Sequence, residues 1–126
     1  MAKTIATLLG AVLILVGLIG FASHDLLGAH LSTSHNIVHL LTGAISLFFG
    51  LRGSLGGART FCIVFGLVYA LLGICGFLIG DGSDRMWNLD ALGLTLGTMD
   101  HVIHILLGVI YLIGGFLTRA GTVAVD

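Results

Sequence analysis

Two stretches decide how this chain folds: Asp100-His101-Val102-Ile103-His104-Ile105-Leu106-Leu107-Gly108 and, earlier, His35-Asn36-Ile37-Val38-His39-Leu40-Leu41-Thr42-Gly43. Each runs polar, polar, apolar, apolar, His, three mostly apolar residues, Gly. Each opens a long apolar run, so a histidine falls one helical turn inside a segment where ionisable groups are rare. The pairing at an offset of 65 residues implies that one unit occurs twice.

The flanking composition says what kind of unit. The chain has 126 residues, 57% hydrophobic and only 9% charged. Soluble domains carry about 25% charged residues, so this chain cannot cover itself with a polar surface. Its apolar runs are near the length that crosses a hydrocarbon core. The expected architecture is an all-α, polytopic membrane four-helix bundle in one domain, with spans at about residues 5–22, 35–51, 60–80 and 100–118. Proline is absent, which suits uninterrupted helices. A net charge of -1 gives no reason to expect nucleic acid as a partner. The bilayer is the expected environment, with a homo-oligomer or a larger membrane complex as the expected assembly.

Spans one and three carry the same glycine pattern. Gly10, Gly17, Gly20 and Phe21 recur 56 residues later as Gly66, Gly73, Gly76 and Phe77. Two tandem helical hairpins follow, related by a pseudo-twofold axis along the membrane normal. Small residues at these spacings let helix backbones approach closely, which is how membrane helices associate. The first run also has features of a cleaved signal peptide, with Lys3 before it and small residues at its end. Its length and its later partner favour a retained helix.

Lys3, Arg52, Arg59 and Arg119 fall on one side of a four-span chain, and only Arg85 on the other. The bias of Lys and Arg toward the cytoplasm places both termini and the middle turn there. The connection at residues 23–34 is polar. Residues 91–99 are apolar but punctuated by glycine, and are expected to be an interfacial or re-entrant segment.

All six histidines lie in the half opposite the basic turn. His35 and His39 share a helix face, as do Asp100 and His104. The repeat makes His35 equivalent to Asp100 and His39 to His104, so four side chains converge if the axis runs through the bundle. Three imidazoles and a carboxylate suit zinc or another divalent transition metal, which makes His35, His39, Asp100 and His104 candidate ligands. His101 and His24 are further candidates. A b-type haem held between His39 and His104 is another option. Against these stands a structural reading, in which Ser34 or Asp100 caps a helix and the imidazoles bond loop carbonyls or each other. Asn36 and His101 form a second equivalent pair, rotated about 100° from the first face.

No phosphate loop, Cys-x-x-Cys or His-Glu-x-x-His occurs, and there is no glutamate, so no enzyme activity is expected. Cys62 and Cys75 are too far apart along one helix to pair.

The two histidine motifs, the span count and the basic middle turn resemble the DUF4383 family (domain of unknown function), small bacterial four-helix membrane proteins. The resemblance covers essentially the whole chain and implies the topology but no mechanism. At the second motif the family pattern has Asn after the aspartate, where this chain has His101, and a proline in the approach, where this chain has none. The leading functional expectation is a structural or accessory membrane protein. The alternative is a metal- or haem-binding one.

Overall fold

The computed structural model describes residues 1–26 and 28–118. Four long helices account for most of it: α1 (Ala2–Ala22), α2 (Thr33–Leu51), α3 (Leu55–Ile79) and α4 (Thr98–Leu117). All four are long and apolar enough to cross a membrane. The tail beyond residue 118, with Arg119, lies outside the described residues.

α1 packs chiefly on α2, and α3 on α4, giving the two hairpins. Glycine makes each pairing close. A Cβ on Gly10 would meet Gly43 O at 2.9 Å, and one on Gly66 would meet Gly108 O at 3.0 Å. A Cβ on Gly20 would overlap the Asn36 amide, and one on Gly76 the His101 ring. The equivalent pair Asn36 and His101 is therefore seated against equivalent glycines, off the face that carries His39 and His104.

The burial pattern inverts that of a soluble bundle. α1 buries Ala2, Ala6, Gly10, Leu13, Gly17 and Gly20. Its large side chains Leu8, Val12, Leu15, Leu18 and Ile19 are exposed. Lipid tails are as apolar as leucine, so close packing of small residues rather than hydrophobic burial draws these helices together.

The end of the bundle away from the histidines is closed by aromatic packing and backbone ties. Phe61 stacks on Phe49 and Phe65, with ring centroids 5.3 and 4.4 Å away. Thr118 accepts the Ala2 N–H at 2.8 Å, and its carbonyl accepts from Arg59 Nε at 3.1 Å.

Three local features differ from the sequence expectations. α3 begins at Leu55 rather than near residue 60, because Ser54 caps it by accepting the Gly57 N–H at 3.0 Å. The cap of α2 is Ser32, not Ser34. The polar connections are not irregular. The first folds as a hairpin of β1 (Asp25–Leu26) and β2 (Ala29–His30), and the second as β3 (Trp87–Leu89) and β4 (Leu94–Leu96). Residues 91–99 thus supply a 3-10 turn, β4 and the start of α4. They form an ordered cap on the bundle rather than a re-entrant segment.

The two caps are themselves repeats. Gly28 and Gly93, 65 residues apart, both have positive φ, of 84° and 66°. That region suits glycine because it lacks a Cβ. A Cβ at either would also strike the opposite half, at Met99 and Ser34 respectively, so each cap leans on the other repeat.

Candidate metal centre

The site lies at the hairpin end, where α2 and α4 begin. Ser32 accepts the His35 N–H at 3.2 Å and fixes where α2 starts, which puts His35 in the first turn and His39 one turn deeper. In α4, the Asp100 carboxylate reaches back to the Gly97 N–H at 2.8 Å, satisfying a helix-start donor that has no intrahelical partner. His104 then sits one turn deeper, at the level of His39.

His35, His39 and His104 are 3%, 6% and 3% exposed. One potential ligand nitrogen from each lies within 4.8 Å of the others. The His35 ring centroid is 4.2 Å from that of His39 and 5.8 Å from that of His104. This buried cluster is able to coordinate a metal ion.

Protonation of one ring is settled by its partner. His35 Nδ1 lies 2.7 Å from the His30 carbonyl, which can only accept, so Nδ1 carries the proton and Nε2 keeps its lone pair. A metal-binding histidine is ordinarily held this way, with its second nitrogen donating to a carbonyl or carboxylate. His39 Nδ1 and His104 Nδ1 are buried and find no hydrogen-bond partner among the described residues, as is also true of His101 Nδ1 and Asn36 Oδ1 outside the cluster. Unpaired polar atoms in an apolar interior are costly, and a ligand that engaged them would remove that cost.

Beside the rings is a cavity of about 110 Å³, lined by His35, His39, His104 and Asp100 with Val16, Leu26 and Leu31. Asp100 shares this cavity, but its oxygens are engaged. They accept the His30 N–H at 3.0 Å, His30 Nδ1 at 2.8 Å and the Gly97 N–H. The structure therefore gathers three of the four side chains expected from sequence and ties the fourth to β2.

Of the remaining histidines, His101 and His24 stand outside the group of three. His101 is fully buried, donates from Nε2 to Arg85 O at 2.8 Å, and packs edge-on to Phe77. His24 is exposed on the first connection. His30 was not expected at the site, because the hairpin that carries it was not anticipated. A signal for that hairpin is present in the chain. Asp25-Leu26-Leu27-Gly28-Ala29-His30-Leu31 recurs as Asp90-Ala91-Leu92-Gly93-Leu94-Thr95-Leu96, with Asp, Leu, Gly and Leu repeated at the same offset of 65 as the histidine motifs.

No curated protein and no solved structure gave a match to this chain. One family model did, described as a domain of unknown function (DUF4383), and it matches residues 3–117. The match spans all four helices, both caps and every histidine of the cluster, and the chain belongs to the DUF4383 family.

Proposed function

We propose that this protein is a metal-binding membrane protein in which His35, His39 and His104 hold one divalent transition metal ion. The observation that carries the reading is the convergence of three buried imidazoles within 4.8 Å, two of them with an unpartnered Nδ1. A structural or accessory role explains the burial, but it leaves those nitrogens without partners, so it is the weaker account.

The donor set points to a class of ion. Three imidazoles suit zinc, copper, nickel or iron, whereas magnesium and calcium take oxygen ligands. Three protein ligands leave the fourth position of a tetrahedral zinc ion to water or an exchangeable group. The cavity of about 110 Å³ supports a single ion and its water over a porphyrin macrocycle. Neutral ligands leave the ion's charge uncompensated, and the amino-terminal ends of α2 and α4 add to it. Asp100, buried beside the rings, is the nearest opposing charge among the described residues. The positions of Lys3, Arg52 and Arg59 at the opposite end support a site on the non-cytoplasmic side of a bacterial inner membrane.

Equilibrium zinc titration of the protein in mild detergent tests this. The expected result is one saturable site that disappears when His39 and His104 are both replaced by Ala. Absence of zinc binding in the unaltered protein, or binding that survives the double replacement, contradicts it.

A further inference from the structure

His30 is grasped from both halves of the repeat. Its N–H donates to Asp100 Oδ1 at 3.0 Å, and its carbonyl accepts from His35 Nδ1 at 2.7 Å. Its ring reinforces the first contact, with Nδ1 2.8 Å from Asp100 Oδ2. Asp100 is in turn fixed on α4 by the Gly97 N–H. A chain of hydrogen bonds thus runs from Gly97 through the Asp100 carboxylate and the residue 30 backbone to one imidazole of the cluster.

β2 has only two residues, too short to hold its place by strand pairing with β1 alone. Asp100, 1% exposed, binds that strand to α4 across 70 residues of sequence. The charge also matters electronically. Successive hydrogen bonds polarise one another, so a carboxylate on the His30 N–H strengthens the His30 carbonyl as an acceptor. A stronger acceptor on Nδ1–H makes the opposite nitrogen, His35 Nε2, a better metal ligand.

From this geometry we infer that Asp100 is a positioning residue for the metal centre, acting through the backbone of His30 to fix the orientation and tautomer of His35, and is not itself a ligand. The inference rests on the metal reading above. It gives hairpin β1–β2 a defined part in the site: the hairpin presents the carbonyl that holds His35, while Leu26, Ala29 and Leu31 wall the cavity.

A double-mutant cycle in zinc affinity tests it. Asp100→Ala should weaken zinc binding roughly 10- to 100-fold, the usual loss when an outer hydrogen-bond partner of a ligand is removed. In a His35→Ala background the same replacement should cost nothing further, because its effect passes through His35. His30→Ala keeps both backbone groups and removes only the ring's contact with Asp100, so it should weaken zinc binding less than Asp100→Ala does. The His35 Nδ1–H proton resonance of the metal-free protein should be protected from exchange, and should lose that protection in Asp100→Ala. If Asp100→Ala does not fold, Asp100→Asn runs the same cycle with a smaller expected loss.

The proposal is overturned if removing Asp100 leaves zinc affinity unchanged, or if the Asp100 and His35 losses multiply as they would for two independent ligands. The two readings fail differently. No zinc binding by the unaltered protein sinks both, whereas zinc binding indifferent to Asp100 sinks only this one.

Discussion

Ser46 Oγ and Tyr111 Oη lie 2.9 Å apart at the centre of the bundle, and they occupy equivalent positions of the two repeats. Like His39 and His104 above them, they meet because the axis relating the halves passes between α2 and α4. Ser46 donates its single proton to Ala6 O at 2.6 Å, so Tyr111 is the donor in the pair.

That direction makes the two replacements unequal. Ser46→Ala leaves the buried Tyr111 hydroxyl without its acceptor, while Tyr111→Phe leaves Ser46 still bonded to Ala6. Interhelical hydrogen bonds in membranes average about 0.6 kcal/mol and reach about 1.7. Ser46→Ala should fall toward the upper figure and Tyr111→Phe toward the lower, measured by reversible unfolding in mild detergent. Equal losses would show that the proton direction is wrong.

Glycines at the helix contacts should be intolerant of a single methyl. Gly20→Ala and Gly76→Ala drive a Cβ into Asn36 and His101, both fully buried. Neither side chain is free to retreat, since Asn36 Nδ2 bonds Leu31 O and His101 Nε2 bonds Arg85 O. Overpacking of this kind costs about 1–3 kcal/mol. Gly56→Ala, with nothing within 4 Å of the new methyl, should leave the melting temperature unchanged or slightly raised.

Much of this was legible before the structure, and the reason is the bilayer. Lipid imposes a length, an apolar composition and a backbone that satisfies itself, so four helices follow from the runs alone. The offsets of 56 and 65 then pair the helices, because Gly10, Gly17 and Gly20 need partners that permit close approach. The three histidines follow from the same offsets plus the i, i+4 spacing. The caps did not, because strands of two or three residues are too short to show alternation. For the same reason, Asp100 could be read from sequence only as a candidate ligand. Its side chain has ligand chemistry, but its partner is a backbone N–H delivered by a hairpin 70 residues away.

Burial of three imidazoles implies a trade between stability and binding. Replacing His39 and His104 together by Leu removes two unpartnered nitrogens from the interior. The metal-free variant should melt at or above the temperature of the metal-free unaltered protein. The unaltered protein alone should gain from zinc, by about 2.7 kcal/mol when free zinc is 100 times its dissociation constant. Differential scanning in detergent with and without zinc reads both effects.

Topology is open to direct labelling. With Cys62 and Cys75 replaced by Ala, a Ser83→Cys variant should react with a membrane-impermeant maleimide in intact cells whose outer barrier is opened. A Gly56→Cys variant should react only after lysis. The reverse pattern would move the metal centre to the cytoplasmic side.

Three histidines that meet around an ion, rather than around each other, have a direct spectroscopic signature. Protein reconstituted with zinc, freed of excess ion and examined by metal analysis with X-ray absorption at the zinc edge tests this most directly. One zinc per chain, with three imidazole nitrogens at about 2.0–2.1 Å, is the expected result. Protein that retains no zinc, or zinc bound without imidazole, would contradict it.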